Sequence, residues 1–266
     1  MINTKRNREN LYLSLDRINL VKKLAPLLRP GGGYHCRIED GKFIPNAVAM
    51  ATDAPWVYVK SSTDLRCDIF HRVLFNTCNL IPSRCRECWK VVVKPRTLRE
   101  LFDLYEFERE MGVPCKCGIE KRLTTTSLYG GYFYCKGKAE GLERYKEVRE
   151  LVDKHLSPET PVFLKRYCTE YEIGPTGQGP SNELPDLTED ELWFEKYVLD
   201  MFPSVGFGTV QPDHITAQVM MDWIHEAYRY HKATGDETYK EFTGGSPLFK
   251  STVFYHEEVK EDAGNS

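Results

Sequence analysis

The stretch CWKVVVKPRTLRELFDLYEFEREMG, Cys88–Gly112, contains one complete strand-to-helix transition. Its β-branched run Val91, Val92 and Val93 favours an extended chain, and Pro95 stops that strand by removing a backbone donor. Thr97-Leu-Arg-Glu100 then reads as a capping box, in which hydroxyl and carboxylate each satisfy an N–H that a helix start leaves unpaired. Leu98, Leu101, Phe102 and Tyr105 recur at helical spacing until Gly112 closes the helix.

Working outward, VPCKCGIEKR (113–122) and YGGYFYCK (129–136) read as strands on either side of a polar turn at Thr124–Ser127. A second helix is expected from about Lys138 to Leu156, with Leu142, Tyr145, Val148, Val152 and Leu156 facing inward and Ser157-Pro158 ending it. TPVFLKRYCTEYE (160–172) follows as a strand. The order β-α-β-β-α-β over Cys88 to Glu172 predicts an α+β protein with a central ferredoxin-like unit.

Around that unit, residues 81–173, lie a mixed α/β region at 1–80, a Gly/Pro-rich linker at 174–187 and a mainly helical region at 188–266 with an acidic tail. In the first region LRPGGGYH (28–35) reads as a loop, APWVYVKS (54–61) as a strand and SSTDLRCDIFHRVLF (61–75) as a helix. In the last, Thr188-Glu-Asp-Glu191 opens a helix to about Phe202. Another helix spans about Asp213 to Thr234, with Ile215, Val219, Trp223, Ala227 and Tyr228 near one face, and FKSTVFYHEEV (249–259) is a candidate late strand.

A chain of 266 residues can bury a core without disulfide or metal staples. Its formal net charge of −3 means that any polyanion contact must be local. Acidic and polar residues interrupt the basic N-terminus, so it lacks the apolar core of a signal peptide, and no run approaches the ~18–20 apolar residues of a membrane span. A soluble, cytoplasmic protein without a membrane partner is the expectation. Nine cysteines, an odd number, then argue against a disulfide framework.

In the expected topology the starts of strands one and two share a sheet edge with the ends of strands three and four. Cys85, Cys88, Cys115, Cys117, Cys135 and Cys168 all fall near that edge. Cys85-x2-Cys88 and Cys115-x-Cys117 are candidates for a four-thiolate metal site, because short spacings let one turn present two sulfurs to one ion. CKCG resembles the glycine-following knuckle of zinc sites, although the spacing of this second pair is one residue shorter than the usual C-x2-C. Zn²⁺ is the expected ion and an iron–sulfur cluster the alternative, with Cys135, Cys168, Cys67 and His71 as alternate ligands. Burial as small hydrophobes is the competing account of these thiols. A redox pair at Cys85 and Cys88 is less favoured, since the pair runs into a strand instead of opening a helix.

Lys90, Lys94, Lys165 and Arg166, with Tyr132 and Tyr134, form a candidate basic and aromatic platform on the sheet. YGGYFYCK is similar to the base-stacking strand of RNA-recognition domains but lacks the register of that motif. Gly131 to Gly137 departs from a phosphate-binding loop by one residue and lacks its Ser or Thr. Three function classes follow: a zinc-bearing protein acting on or alongside nucleic acid or another polyanion, an iron–sulfur or zinc enzyme using Cys168 and Glu170, and a structural or assembly protein fastened by metal.

Overall fold

The computed structural model describes residues 35–39, 42–47, 55–60, 67, 75, 81–122, 125–168, 186–201 and 211–245. The helix expected at 61–75, the late strand at 249–259 and the acidic tail fall outside them, apart from residues 67 and 75. In chain order the elements are β1 (His35–Glu39), β2 (Lys42–Ala47), β3 (Trp56–Lys60), α1 (Ser83–Arg86), β4 (Cys88–Val93), α2 (Leu98–Met111), β5 (Cys115–Ile119), β6 (Tyr129–Lys136), α3 (Gly137–His155), β7 (Val162–Arg166), α4 (Glu189–Met201), α5 (Asp213–Thr234) and α6 (Tyr239–Thr243). None of the described helices is long and apolar enough to cross a membrane.

The opening stretch folds as its residues dictate. The Thr97 side chain accepts from Glu100 N at 3.1 Å, and Gly112 in the left-handed conformation ends α2. The Glu100 carboxylate reaches one residue further back than a capping box requires. It accepts from Arg96 N at 2.7 Å and from the Thr160 hydroxyl at 3.0 Å, so the cap also fastens the approach to β7.

Strands β3 to β7 form one antiparallel sheet of five strands in the order β3-β5-β6-β4-β7, and β1 and β2 pair separately. The protein is thus a mixed α+β structure. Because side chains alternate across a sheet, the register fixes which residues share a face. Val91, Val93, Cys115, Cys117, Phe133 and Cys135 lie on the face that packs against Leu98, Leu101 and Leu104 of α2 and Val148 and Val152 of α3. Val219, Trp223 and Ala227 of α5 join the same core, and the Trp223 indole donates to the Pro55 carbonyl at 2.9 Å. Described residues before position 168 and after position 211 therefore bury one continuous apolar surface.

Helix α3 differs from its expected facing at one end. Leu142 is 47% exposed, and Gly141 occupies the inward position instead. A Cβ at Gly141 would come within 2.8 Å of Leu164, so the missing side chain lets α3 lie close on β7. Apolar periodicity points to Leu142 because it cannot register a helix that approaches through a glycine.

Asp236, 4% exposed, joins the α5–α6 turn to the sheet. Its carboxylate accepts from Leu98 N at 2.7 Å, Tyr129 OH at 2.5 Å, Thr238 N at 2.9 Å and Thr238 Oγ1 at 2.7 Å. It thereby satisfies a free N–H at the start of α2 from a residue 138 positions away.

Gly118 has a structural use unlike the thiolate knuckle expected of CKCG. A Cβ there would collide with the Pro55 carbonyl, which accepts from Ile119 N at 3.0 Å beside the β3–β5 pairing. Gly118→Ala is expected to cost about 3 kcal/mol or more, because the obstacle is backbone and not a movable side chain. Urea unfolding measures this, and a loss under about 0.5 kcal/mol would contradict it.

Candidate functional site

The second face of the sheet gathers positive charge and rings. Across it runs a row of Tyr58, Lys116, Tyr132, Val92 and Phe163, followed by a row of Tyr134, Lys90 and Lys165. Trp56 and Lys94 extend the same face by alternation. Five of the six side chains expected to form a polyanion platform therefore share a face: Lys90, Lys94, Tyr132, Tyr134 and Lys165. Arg166 has the opposite parity. It lies over the Trp89 ring, donates to the Arg86 carbonyl and pairs with Glu87 at 3.2 Å.

Lys116 is the centre of this face. Its ammonium stands 4.3 Å from the Trp56 ring centroid, 5.4 Å from Tyr58 and 5.7 Å from Tyr132. Lys94 lies 5.9 Å from the Tyr132 centroid and Lys90 5.7 Å from that of Tyr134. Burial, reinforced by the Arg122 charge, pushes Lys116 down to about 8, and burial also lowers Lys94. Cation–π attraction offsets only part of the lost hydration.

Glu120, a carboxylate on this face, is already engaged. Burial alone would raise Glu120, but hydrogen bonding and charge from Arg122, with the Tyr132 hydroxyl at 3.0 Å, hold it below the usual range. Tyr132 is buried beneath the lysines, while Trp56, Tyr58 and Tyr134 stay partly exposed. Among the described residues, the rings available for stacking on this face are these last three and Phe163, which is 41% exposed.

At one end of the face, Lys90 is enclosed by sulfur. Its ammonium donates to Cys88 Sγ at 3.3 Å, Cys168 Sγ at 3.7 Å and the Tyr167 carbonyl at 2.9 Å. Burial lowers Lys90, but the charges of Cys168 and Cys88, the bond to Cys88 and the charge of Cys85 outweigh it and leave the group raised. Cys85 and Cys168 also pack on a small cluster of Phe75 and Tyr167.

The remaining candidate ligands lie elsewhere. Sheet register sends Cys115, Cys117 and Cys135 to the helix-covered face, opposite Cys88. Burial drives all three thiols upward, Cys135 to about 11, so they are held protonated in an apolar core. Glu108 is completely buried with them and its two carboxylate oxygens have no hydrogen bond of ordinary geometry. Burial raises it well above the carboxylate range despite the nearby Cys117 thiol.

Cys88 thus lies on the opposite sheet face from Cys115 and Cys117, and Cys85, in the short helix before β4, packs near Tyr167. Among the described residues no group of three or more His, Cys, Asp or Glu side chains is arranged to hold a metal. Cys67 is exposed, and His71 and Glu170 lie outside the described residues.

Sequence reading passed over Trp56, Tyr58, Lys116 and Arg122 as members of this face. The signal lay in strand parity. Lys116 sits between Cys115 and Cys117, so it must face away from both once they point into the core. Comparison with protein-family models, with curated proteins and with solved structures gives no match for this chain.

Proposed function

We propose that the chain binds a polyanion through the second face of its sheet, with single-stranded nucleic acid as the class that fits best. The observation carrying this reading is the interleaving on one face of Lys90, Lys94, Lys116 and Lys165 with the rings of Trp56, Tyr58, Tyr132 and Tyr134. The ammonium groups of Lys94, Lys116 and Lys165 track phosphates, Lys90 being enclosed by Cys88, Cys168 and the Tyr167 carbonyl, while partly exposed rings stack bases without sequence readout. The strand order and the β-α-β-β-α-β succession over β4 to β7 support reading that region as a ferredoxin-like unit, the arrangement RNA-recognition domains use for base stacking. The lowered Lys116 adds weight, because an anion against it restores the charge that burial penalises.

The test is fluorescence anisotropy with a labelled oligothymidine, alongside a duplex of equal length, over a range of salt. Log affinity is expected to fall linearly with log salt, with a slope near −0.7 for each phosphate neutralised and about −2 in total. Lys94→Gln and Lys165→Gln should each make the slope shallower. No association at low salt, or binding that neither variant changes, would remove the proposal.

The cofactor expectation, Zn²⁺ or alternatively an iron–sulfur cluster, rests on the spacing of the pairs Cys85–Cys88 and Cys115–Cys117. Elemental analysis and absorbance of protein purified without oxygen test it directly.

A further inference from the structure

We infer that Cys88 and Cys168 are a redox-active dithiol that closes to a disulfide across the β4–β7 pair, with Lys90 as its positioning residue. The inference stands independently of polyanion binding, and the pair differs from the Cys85–Cys88 pair that sequence spacing suggests.

Three observations carry it. The first is proximity: both sulfurs lie within 3.7 Å of one ammonium nitrogen, and Tyr167 N donates to the Cys88 carbonyl at 2.9 Å. The backbone of Cys88 is therefore held at ladder distance from Tyr167, the residue directly before Cys168, so the two cysteines stand at neighbouring strand ends with both sulfurs turned to the same ammonium.

The second is backbone strain. Tyr167 has φ 65°, and it is the one non-glycine residue with positive φ among the described residues. That conformation costs a bulky residue about 1–2 kcal/mol. Its effect is specific. In a straight strand Cys168 would share the face of Arg166, opposite Cys88 and Lys90. The left-handed turn reverses that parity, brings the Cys168 sulfur to Lys90 and aims the Tyr167 carbonyl at the same nitrogen.

The third is selectivity. Cys115, Cys117 and Cys135 are buried in the apolar core, where a thiol is inert, whereas Cys88 and Cys168 are only partly buried beside a fixed positive charge. Lys90 is 4% exposed and cannot swing into solvent, so it remains the counter-ion for charge developing on either sulfur.

The chemistry is thiol–disulfide exchange with an oxidised small-molecule disulfide. A thiolate of the pair attacks one sulfur of that disulfide, forming a mixed disulfide and expelling half of the reagent as thiolate. The second cysteine then attacks the protein sulfur of the mixed disulfide and expels the other half. Two protein thiols lose two electrons, the reagent is reduced to two thiols, and these take up the two protons the cysteines gave up.

The full chain, reduced and then treated with oxidised glutathione, is blocked with iodoacetamide and digested with trypsin. Cleavage after Arg84, Arg86, Lys90 and Arg166 separates Cys85, Cys88 and Cys168 into different peptides. The expected product joins the peptide Glu87–Lys90 to the one opening at Tyr167, with a loss of two hydrogens. The same link should form in Cys85→Ser, and its rate should fall several-fold in Lys90→Met. Wild-type protein in which Cys88 and Cys168 both remain alkylated, or in which either is linked instead to Cys85, overturns the inference. An unchanged rate in Lys90→Met removes the role given to Lys90.

Discussion

Lys116→Met is expected to bind single-stranded nucleic acid about tenfold more weakly, with a salt slope shallower by about 0.7, while folding more stably than the parent chain. Methionine keeps an unbranched stem among Trp56, Tyr58 and Tyr132 and favours ring edges, so packing is preserved as the charge is removed. The sign of the stability change follows from proton binding. Folding lowers the Lys116 value to about 8 from the ordinary lysine range, so burying its charge costs stability in full below about 8. That cost fades as pH rises toward the unfolded value. Removing it should gain on the order of 2 kcal/mol at pH 7, allowing for the group's residual exposure.

The same group sets the pH dependence of binding. A bound phosphate raises Lys116, so affinity should be greatest below about 8 and decline as pH rises through it, with proton uptake on association in that range. Urea denaturation and anisotropy on one preparation separate the possibilities. Loss of stability and binding together would mark Lys116 as a structural residue and leave the proposed face without its centre.

Glu108→Met should raise stability by about 3 kcal/mol near pH 8, because it replaces a fully buried carboxyl lacking any ordinary hydrogen bond with an apolar side chain of similar length. Here the folded value lies above the unfolded one, so the native state retains a proton that the unfolded chain releases. Wild-type stability should therefore fall by up to about 1.4 kcal/mol per pH unit above the ordinary glutamate range, until the folded value is reached. Unfolding curves at pH 5 and pH 8 test this: the variant should lose the Glu108 share of the slope. Parallel pH dependence in the two proteins would show that Glu108 is not the source.

Much of the architecture was legible because local signals agreed. The valine run, Pro95, the Thr97 cap and Gly112 each act within a few residues, and the helix and strand they predict are present. Gly141 against Leu164 was hidden, since only tertiary approach shows why a glycine occupies an inward position. The site was legible as composition but not as geometry. Six cysteines near one sheet edge suggested a common ion, but side-chain alternation sends Cys88 to one face and Cys115, Cys117 and Cys135 to the other. Cys168 shows the opposite case. A left-handed residue that no sequence rule anticipates for tyrosine moved it from the expected face to the side of Lys90.

The Asp236 carboxylate has a consequence for the order of folding. Leu98 N and Tyr129 OH, two of its donors, belong to segments made long before residue 236 is added, and both are buried. Until the α5–α6 turn arrives, the start of α2 keeps an unsatisfied N–H and the core lacks Trp223. Closing these contacts requires joining ends more than a hundred residues apart, a step whose entropic cost precedes its reward. Refolding should therefore include a late, slow phase in which Trp223 becomes buried, preceded by a state with the sheet and α2 formed but the Asp236 clasp open.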